Sequence, residues 1–321
     1  MSKEHDSSRL MLAVLLAAFG LRLLLLGAYP LMDTTEARYA EIARKMLELN
    51  DWITPWFDYD VPFWGKPPLS FWVTALSFKL LGINEFAARF PHYLCGALVT
   101  WIVWRWTSDH LSRRQAGSTS MLLAGSLLYY LSSGLVMTDM WLLLGTTLSM
   151  FGFWSSVQNI QTGNGYQKWL FFVGLAIGLL SKGPIALVLT GMPVAGWIIV
   201  NGKYRASWQS LPWIRGSTLT MALCLPWYIL AEIKTPGFAE YFIIGEHVKR
   251  FVVPGWQGDL YGTAHDRPTG SIWLMLLMDG LPWSLILPGL FFYLWRHGEL
   301  VKSGPGSKEW RSYLALWGLM P

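Results

Sequence analysis

The chain has 321 residues, 53% hydrophobic, 15% aromatic and only 14% charged, with 20 tryptophans and a net charge of +5. That profile argues against an ordinary soluble enzyme and fits a bilayer protein whose aromatic side chains mark the interfaces. The positive balance is no nucleic-acid signature, because lysines and arginines flank apolar runs rather than interleaving with stacking aromatics. Cys95 and Cys224 lie inside apolar runs, where a thiol behaves as a small hydrophobe, and supply neither a disulfide framework nor a metal motif.

The N-terminal MSKEHDSSR and the run at 10–29 predict an uncleaved first span, since the run is too long for a secretory signal and lacks a small-x-small cleavage site. Further apolar runs of roughly bilayer length follow near 89–107, 116–135, 139–157, 168–181 joined to 184–200, 212–231, 271–295 and from 311 onward. They predict an all-α polytopic membrane protein, a single module over 1–321, with about nine spans. Ser181-Lys182-Gly183-Pro184 reads as a tight turn, Gly ending one helix and Pro starting the next. There is no internal repeat, and no broken helix is evident. The final LALWGLMP stops inside an apolar run, so a further C-terminal part is expected.

Basic residues alternate along the connections: Lys3 and Arg9; Arg105, Arg113 and Arg114; Lys168; Lys203, Arg205 and Arg215; then Arg296, Lys302, Lys308 and Arg311. By the positive-inside rule these connections are cytoplasmic. The opposite face then holds the long connection at 30–91, the Val136–Asp139 junction, the Ser181–Pro184 turn and a second long connection at 232–270.

Within 30–91, Ala40, Ala43, Met46 and Leu47 recur at helical spacing with Arg38, Glu41, Lys45 and Glu48 on the other side. This predicts an amphipathic helix over Thr34–Leu49 lying on the membrane surface. Asp33 and Glu36 read either as a capping pair, with Asp33 accepting from backbone N–H groups and Glu36 reaching back, or as carboxylates facing a substrate. Asp33→Asn and Glu36→Gln preserve capping while removing charge, and Asp33 is the first candidate. Lys66 stands in FWGKPP on a proline-stiffened mount that suits holding a phosphate, the plain alternative being interfacial snorkelling.

Asp139 opens an apolar run and Lys182 closes one, positions that also suit an N-cap and a dipole-completing cation. Ionisable groups at membrane depth are nevertheless functional candidates. In the second outer connection Glu246 and Arg250 stand at i, i+4, with His247 between them and His265, Asp266 and Arg267 beyond. A face this rich in Lys and Arg suits a phosphate or diphosphate leaving group, Arg by forked bonds and Lys as a point charge. A divalent metal on Glu246, His247 and His265 is the weaker alternative, because no spacing here is a metal signature.

TEARYAEIARKML, NDWITP, GKPPLSFW, FKLLGINEFAARFP, MTDMW, SKGPIALVL, PWYILAEIKTPGFAEYF and EHVKRF, in that order, closely resemble the bacterial branch of the GT-C glycosyltransferases. That branch contains the aminoarabinose transferase of lipid A and the protein O-mannosyltransferase relatives. The resemblance covers essentially the whole chain. It implies a GT-C helix bundle with juxtamembrane helices in the first periplasmic loop, set in the bacterial inner membrane with its site facing the periplasm. It also implies a polyprenyl-phosphate sugar donor and inversion at the anomeric carbon, with Glu36, Arg38, Tyr39, Lys66, Asp139, Lys182, Glu246, His247 and Arg250 as cavity residues.

The expected activity is therefore transfer of a sugar to lipid A or another envelope glycan, without nucleic acid and without a required metal. Asp33, Glu36 or Asp139 would serve as the catalytic carboxylate, and Lys66, Lys182 and Arg250 would hold the donor phosphate, with Arg38, Tyr39, Glu246, His247 and His265 completing the cavity. The alternatives are a protein O-glycosyltransferase and a transporter or flippase of a lipid-linked anion. The orientation is testable: cysteines introduced at Asp60 and Gly258 should react with an impermeant thiol reagent in cells whose outer membrane alone is permeable. Labelling only after the inner membrane is broken would overturn the topology.

Overall fold

The computed structural model describes residues 2–158, 165–253, 258, 260–261, 268, 270–297 and 308–318. Helices dominate. The outer segment between the first two long helices, α1 (Ser2–Leu25) and α4 (Glu85–His110), folds as α2 (Thr34–Glu48), a small antiparallel hairpin of β1 (Trp56–Asp58) and β2 (Val61–Pro62), and α3 (Leu69–Leu81). The hairpin has no counterpart in the sequence expectations. Helix α2 buries Tyr39, Ala40, Ile42, Ala43 and Met46 against Phe63 and against Phe71, Ala75 and Phe78 of α3. Lys45, expected on the polar side, is buried instead, because its Nζ reaches Phe57 O at 3.0 Å and Asp58 Oδ1 at 2.9 Å across the hairpin.

A buried ion pair fastens this segment to the bundle. Asp33 caps α2 as expected, its Oδ1 accepting from the N–H groups of Thr35 (2.8 Å) and Glu36 (3.1 Å). Glu36 does not reach back. Its carboxylate is turned inward and held by Arg89 of α4 through Nε–Oε1 at 2.8 Å and Nη2–Oε2 at 2.9 Å, both side chains being essentially inaccessible. The same guanidinium donates to Leu26 O, Tyr29 O and Pro30 O at 2.7 to 2.9 Å, and Val136 N donates to Glu36 Oε1 at 3.4 Å. Glu36 is thus a structural bolt joining α1, α2, α4 and the stretch before α7, and its proposed removal by Gln is not a neutral probe of chemistry.

The remaining elements are α5 (Arg113–Ala124), α6 (Leu127–Ser132), α7 (Asp139–Gln158), α8 (Gln167–Lys182), α9 (Ile185–Asn201), α10 (Tyr204–Ser210), α11 (Trp213–Lys234), a π-helical segment (Glu240–Lys249), α12 (Arg250–Val252), α13 (Ser271–Asp279), α14 (Trp283–Arg296) and α15 (Lys308–Gly318). Helices α7 and α8 touch backbone to backbone. A Cβ on Gly145 would lie 2.6 Å from Gly174 O, and one on Gly152 would lie 2.6 Å from Phe171 N. Small residues allow this approach, a common device between helices in a membrane. Ser149 Oγ, 2.9 Å from Phe171 O, stitches the pair. Below it, Phe153, Trp154, Phe171, Trp197 and Tyr313 form an aromatic core.

By length and composition alone, Asp139–Gln158 and Trp213–Lys234 suffice to cross a membrane among the described residues, and Trp273–Asp279 with Trp283–Tyr293 would make a third although bent by 94°. The run at 116–135 is divided at Gly125–Ser126, where Ser126 Oγ accepts from Tyr129 N at 3.4 Å. Helices α8 and α9, at 16 and 17 residues, are short for a bilayer. The bent pair and the α5–α6 break also correct the expectation that no helix is broken, and the two breaks meet: Leu127 N donates to Leu281 O at 2.8 Å.

Removing one member of a buried pair leaves the other uncompensated and costs about 3–5 kcal/mol. Glu36→Gln and Arg89→Met should therefore each lower the unfolding temperature of the purified protein sharply, whereas Asp33→Asn, an equally good cap, should leave it near wild type. Unchanged unfolding in both Glu36→Gln and Arg89→Met would refute the bolt.

Candidate active site

The site forms where the two outer connections meet the ends of α7 and α8. The close α7–α8 packing sets Asp139, at the start of α7, against Lys182, in the last turn of α8, with Nζ–Oδ1 at 2.6 Å. Both side chains keep substantial solvent access, at 48% and 32%. The turn after Lys182 depends on Gly183, at φ +82°, where a side chain would be strained and a Cβ would meet Phe242 Cζ at 2.5 Å. That contact seats the π-helical segment directly on the turn.

In that segment, side chains five apart face each other, as the wider π spacing requires. Tyr241 Oη donates to Glu246 Oε1 at 3.1 Å, and His247 Nδ1 lies 2.7 Å from Phe242 O. The i, i+4 pair anticipated from sequence is present, Arg250 Nη1 donating to Glu246 Oε2 at 2.8 Å. Glu246 is buried while Arg250 keeps about a third of its surface.

Lys66 enters from the hairpin side. Its Nζ donates to Gly65 O at 2.8 Å, and its mount is clasped by Tyr261, whose hydroxyl accepts from Trp64 N at 2.9 Å and donates to Pro62 O at 2.7 Å. The residue before Lys66 must be small here: a Cβ on Gly65 would lie 2.9 Å from Phe63 Cζ and 3.4 Å from the Tyr261 ring. Desolvation pulls the Lys66 ammonium below the ordinary lysine value; Glu246 opposes that shift most, while Lys182 and Arg250 add to it and Asp139 offsets it. Four separately encoded groups therefore bear on one ammonium.

Tyr39 belongs to the same field. Burial pushes its hydroxyl well above the usual tyrosine range, reinforced by Asp139 and Glu246 and opposed by Arg38. Arg38 in turn donates to Tyr261 O at 2.9 Å and stands over the Phe57 ring at 5.5 Å. The structure thus gathers Arg38, Tyr39, Lys66, Asp139, Lys182, Glu246 and Arg250, with His247 beside the Gly183 turn. Two sequence candidates stand apart: Glu36 is closed into the Arg89 pair, and Asp33 is an exposed cap. His265, with Asp266 and Arg267, lies outside the described residues. Among the described residues no group of three or more His, Cys, Asp or Glu is arranged to hold a metal ion.

Asp139 also lines a mostly apolar cavity of about 600 Å³, walled by Leu123, Leu128, Met140, Leu143 and Leu276, with Asp279 also in its lining. It is thus shared between a cation-rich polar cluster and an apolar chamber. Sequence reasoning missed several supporting residues. Arg89 was signalled only by being a charge at the start of a membrane-length run, and Tyr241 and Tyr261 carried no local signal. Asp51, which ties the first outer segment to α11 through Lys234 Nζ at 2.6 Å, looked like an ordinary loop carboxylate. Burial presses the Asp51 carboxyl upward, yet bonds from Lys234, Thr54 and Trp56 leave it below its ordinary value.

Comparisons with known proteins bear on the family and the fold. The family model for dolichyl-phosphate-mannose-protein mannosyltransferase matches residues 7–242. The undecaprenyl phosphate-alpha-4-amino-4-deoxy-L-arabinose arabinosyl transferase of Enterobacter sp. (strain 638) is 30% identical over 98% of this chain and 54% of its own length. Arabinosyl transferase 1 of Pseudomonas fluorescens (strain Pf0-1) is 28% identical over 93% of this chain and 50% of its own. The crystal structure of ArnT from Cupriavidus metallidurans bound to undecaprenyl phosphate superposes with a TM-score of 0.76 at 21% identity, covering 97% of this chain and 53% of that one. The chain therefore spans about half the length of the relatives it matches. With the family model covering most of the chain and the helical architecture shared with ArnT, the chain belongs to the dolichyl-phosphate-mannose-protein mannosyltransferase family and has the GT-C fold of its ArnT-type members.

Proposed function

We propose that the protein transfers a sugar, with inversion, from a polyprenyl-phosphate donor to an acceptor of the bacterial cell envelope, lipid A being the acceptor that the relatives favour. The observation that carries this reading is the convergence of Lys66, Lys182 and Arg250 on a face whose Asp139 also opens onto an apolar cavity. A lipid-linked sugar phosphate needs both environments within one molecule's reach. The names of the relatives, which specify an undecaprenyl phosphate donor carrying 4-amino-4-deoxy-L-arabinose, support an amino sugar as the group transferred. In this reading the chain sits in the inner membrane with the cluster facing the periplasm.

In the reaction, an acceptor oxygen attacks the anomeric carbon, the bond from that carbon to the phosphate oxygen breaks, and the electron pair leaves with the polyprenyl phosphate. The leaving phosphate gains negative charge. Lys66, Lys182 and Arg250 stabilise that charge from positions fixed before the reaction begins, which is the most effective form of electrostatic catalysis. Asp139, solvent-accessible beside Lys182, takes the proton of a hydroxyl acceptor; for a phosphate acceptor no base is needed and Asp139 positions the donor. The Asp33 preference drawn from spacing yields to Asp139, because Asp33 spends its oxygen on the α2 cap while Asp139 stands in the field of Lys66 and Tyr39. No metal is required in this scheme, since three cations already face the leaving group.

The transporter alternative gains one observation, the two broken helices that meet at Leu127 and Leu281, because transporters use such breaks near their binding sites. Incubation of the purified full-length protein in detergent, where transport has no meaning, with a panel of polyprenyl-phosphate sugars separates the two. Glycosylated acceptor is the expected product; donor binding without transfer to any acceptor would favour the transporter.

Three outcomes are expected in that assay. Lys66→Ala and Arg250→Ala should each lower kcat/KM by about 10²–10³, the usual effect of removing one preorganised charge stabiliser. Asp139→Asn should lose about 10²–10⁴ with a hydroxyl acceptor. Full activity in all three variants would reject the assignment.

The lowered Lys66 value also sets a pH signature. The ammonium is charged below its pKa, so kcat/KM should fall as pH rises, starting at a lower pH than an ordinary lysine near about 10.4 would give. Lys66→Arg, charged throughout, should flatten that limb; an identical limb in Lys66→Arg would assign it elsewhere. Chelation with EDTA should leave the rate unchanged, and a loss restored by a divalent cation would contradict the metal-free scheme.

A further inference from the structure

A second cation lies deeper, outside the cluster just described. Arg22 occupies the last turn of α1 and is 8% exposed. Its Nε is buried without a hydrogen-bond partner, and among the described residues the guanidinium has no ion pair. It stacks on Tyr130, whose ring centroid lies 4.6 Å from the guanidinium carbon. The neighbouring Gly134 makes room for it, since a Cβ there would collide with Nη2.

Snorkelling does not explain Arg22, because a snorkelling side chain carries its charge to water whereas this one turns it into the bundle. An internal ion pair does not explain it either: Glu36, Asp139 and Glu246 are engaged by Arg89, Lys182 and Arg250. A guanidinium in this setting is strongly disfavoured unless something anionic meets it. The group opens into a cavity of about 20 Å³ lined by Phe19, Ala124, Tyr129, Tyr130 and Ser133. That is room for one water or one anionic oxygen, and water does not neutralise a charge.

The surroundings identify the anion. Beside Arg22 on α1, Leu21 is 59% exposed and Leu24 80%, and beside the cavity residues Tyr129 and Tyr130 on α6, Leu128 is 52% exposed and Leu131 42%, apolar surface that suits lipid tails. Arg22 lies four residues before Leu26, whose carbonyl binds Arg89, and so just before the chain leaves α1 for the segment at 30–91. We propose that Arg22 is a second anion site, which takes an oxygen of a lipid-borne phosphate whose acyl chains lie against the apolar surface of Leu21, Leu24 and Leu128. The phosphate belongs either to bulk anionic phospholipid or to a phosphorylated lipid acceptor. The second source rests on the proposed transferase function; the first does not.

The test is thermal unfolding of the purified full-length protein in neutral detergent, which needs no activity. In one arm phosphatidylglycerol is compared with diacylglycerol, and in the other a phosphorylated lipid acceptor with its dephosphorylated form. A phosphate-dependent rise in unfolding temperature is expected for the wild type and for Lys66→Ala/Arg250→Ala, which lacks the other phosphate grip. The same rise should be lost in Arg22→Gln and partly kept in Arg22→Lys. The matching apparent affinity should fall about tenfold or more in Arg22→Gln, the fold-change of one charged hydrogen bond. The arm that shows the rise identifies the source. No rise in the wild type, a rise undiminished in Arg22→Gln, or a rise abolished by Lys66→Ala/Arg250→Ala overturns the site; the wild-type measurement decides even if Arg22→Gln folds poorly.

Discussion

The placement of the first connection at the candidate site depends on one buried contact, the Glu36–Arg89 pair. Burying two charges is expensive, and it succeeds only where geometry and hydrogen bonding are complete. Here they are. Arg89 has five N–H groups and makes five bonds: two to the Glu36 carboxylate, two from Nη1 to Leu26 O and Tyr29 O, and one to Pro30 O. The three carbonyls terminate the chain path out of α1, so the pair supplies donors to backbone groups that would otherwise be stranded at the membrane boundary. It thereby fixes the direction in which α2 leaves the bundle, and with α2 the positions of Arg38 and Tyr39.

The contrast with the cation cluster is a matter of saturation. Arg89 is fully satisfied by the protein, leaving nothing for a ligand. Among the described residues Lys182 pairs with Asp139 and Arg250 with Glu246, both cations retaining about a third of their surface, and Lys66 donates to Gly65 O in a field that already lowers its pKa. A site in which like charges crowd one another is unfavourable until an anion arrives. Binding of a phosphate relieves that repulsion, which turns an electrostatic liability of the empty protein into differential affinity for a charged ligand. The π-helical segment and the hairpin serve this arrangement by bringing Glu246 and Lys66 into one field.

Residues whose meaning is local could be read from the sequence. Asp33 before an amphipathic run, Gly183-Pro184 between two apolar runs, Lys66 before two prolines and the Glu246–Arg250 spacing all announce their geometry within a few positions, and the structure places them accordingly. Residues whose meaning is set by a distant partner could not. Glu36 sits at capping-box spacing, yet Arg89, 53 positions away, takes its carboxylate. Lys45 follows the polar stripe of α2, yet the hairpin supplies Phe57 O and Asp58 and draws it inside. The helix breaks escaped the sequence for a related reason: hydropathy sees apolar length and does not see the breaks at Gly125 and between α13 and α14, which pack on each other.

The central claim is that the Lys66, Lys182 and Arg250 cluster recognises a lipid-linked phosphate. Equilibrium binding of undecaprenyl phosphate and of undecaprenol to the purified full-length protein measures this directly, because the two ligands share a tail and differ only in charge. The phosphate should bind at least about a hundredfold more tightly, the combined effect of two charged hydrogen bonds, and the advantage should collapse in Lys66→Ala/Arg250→Ala. Equal affinities for the two lipids, or an advantage untouched by the double substitution, would contradict it.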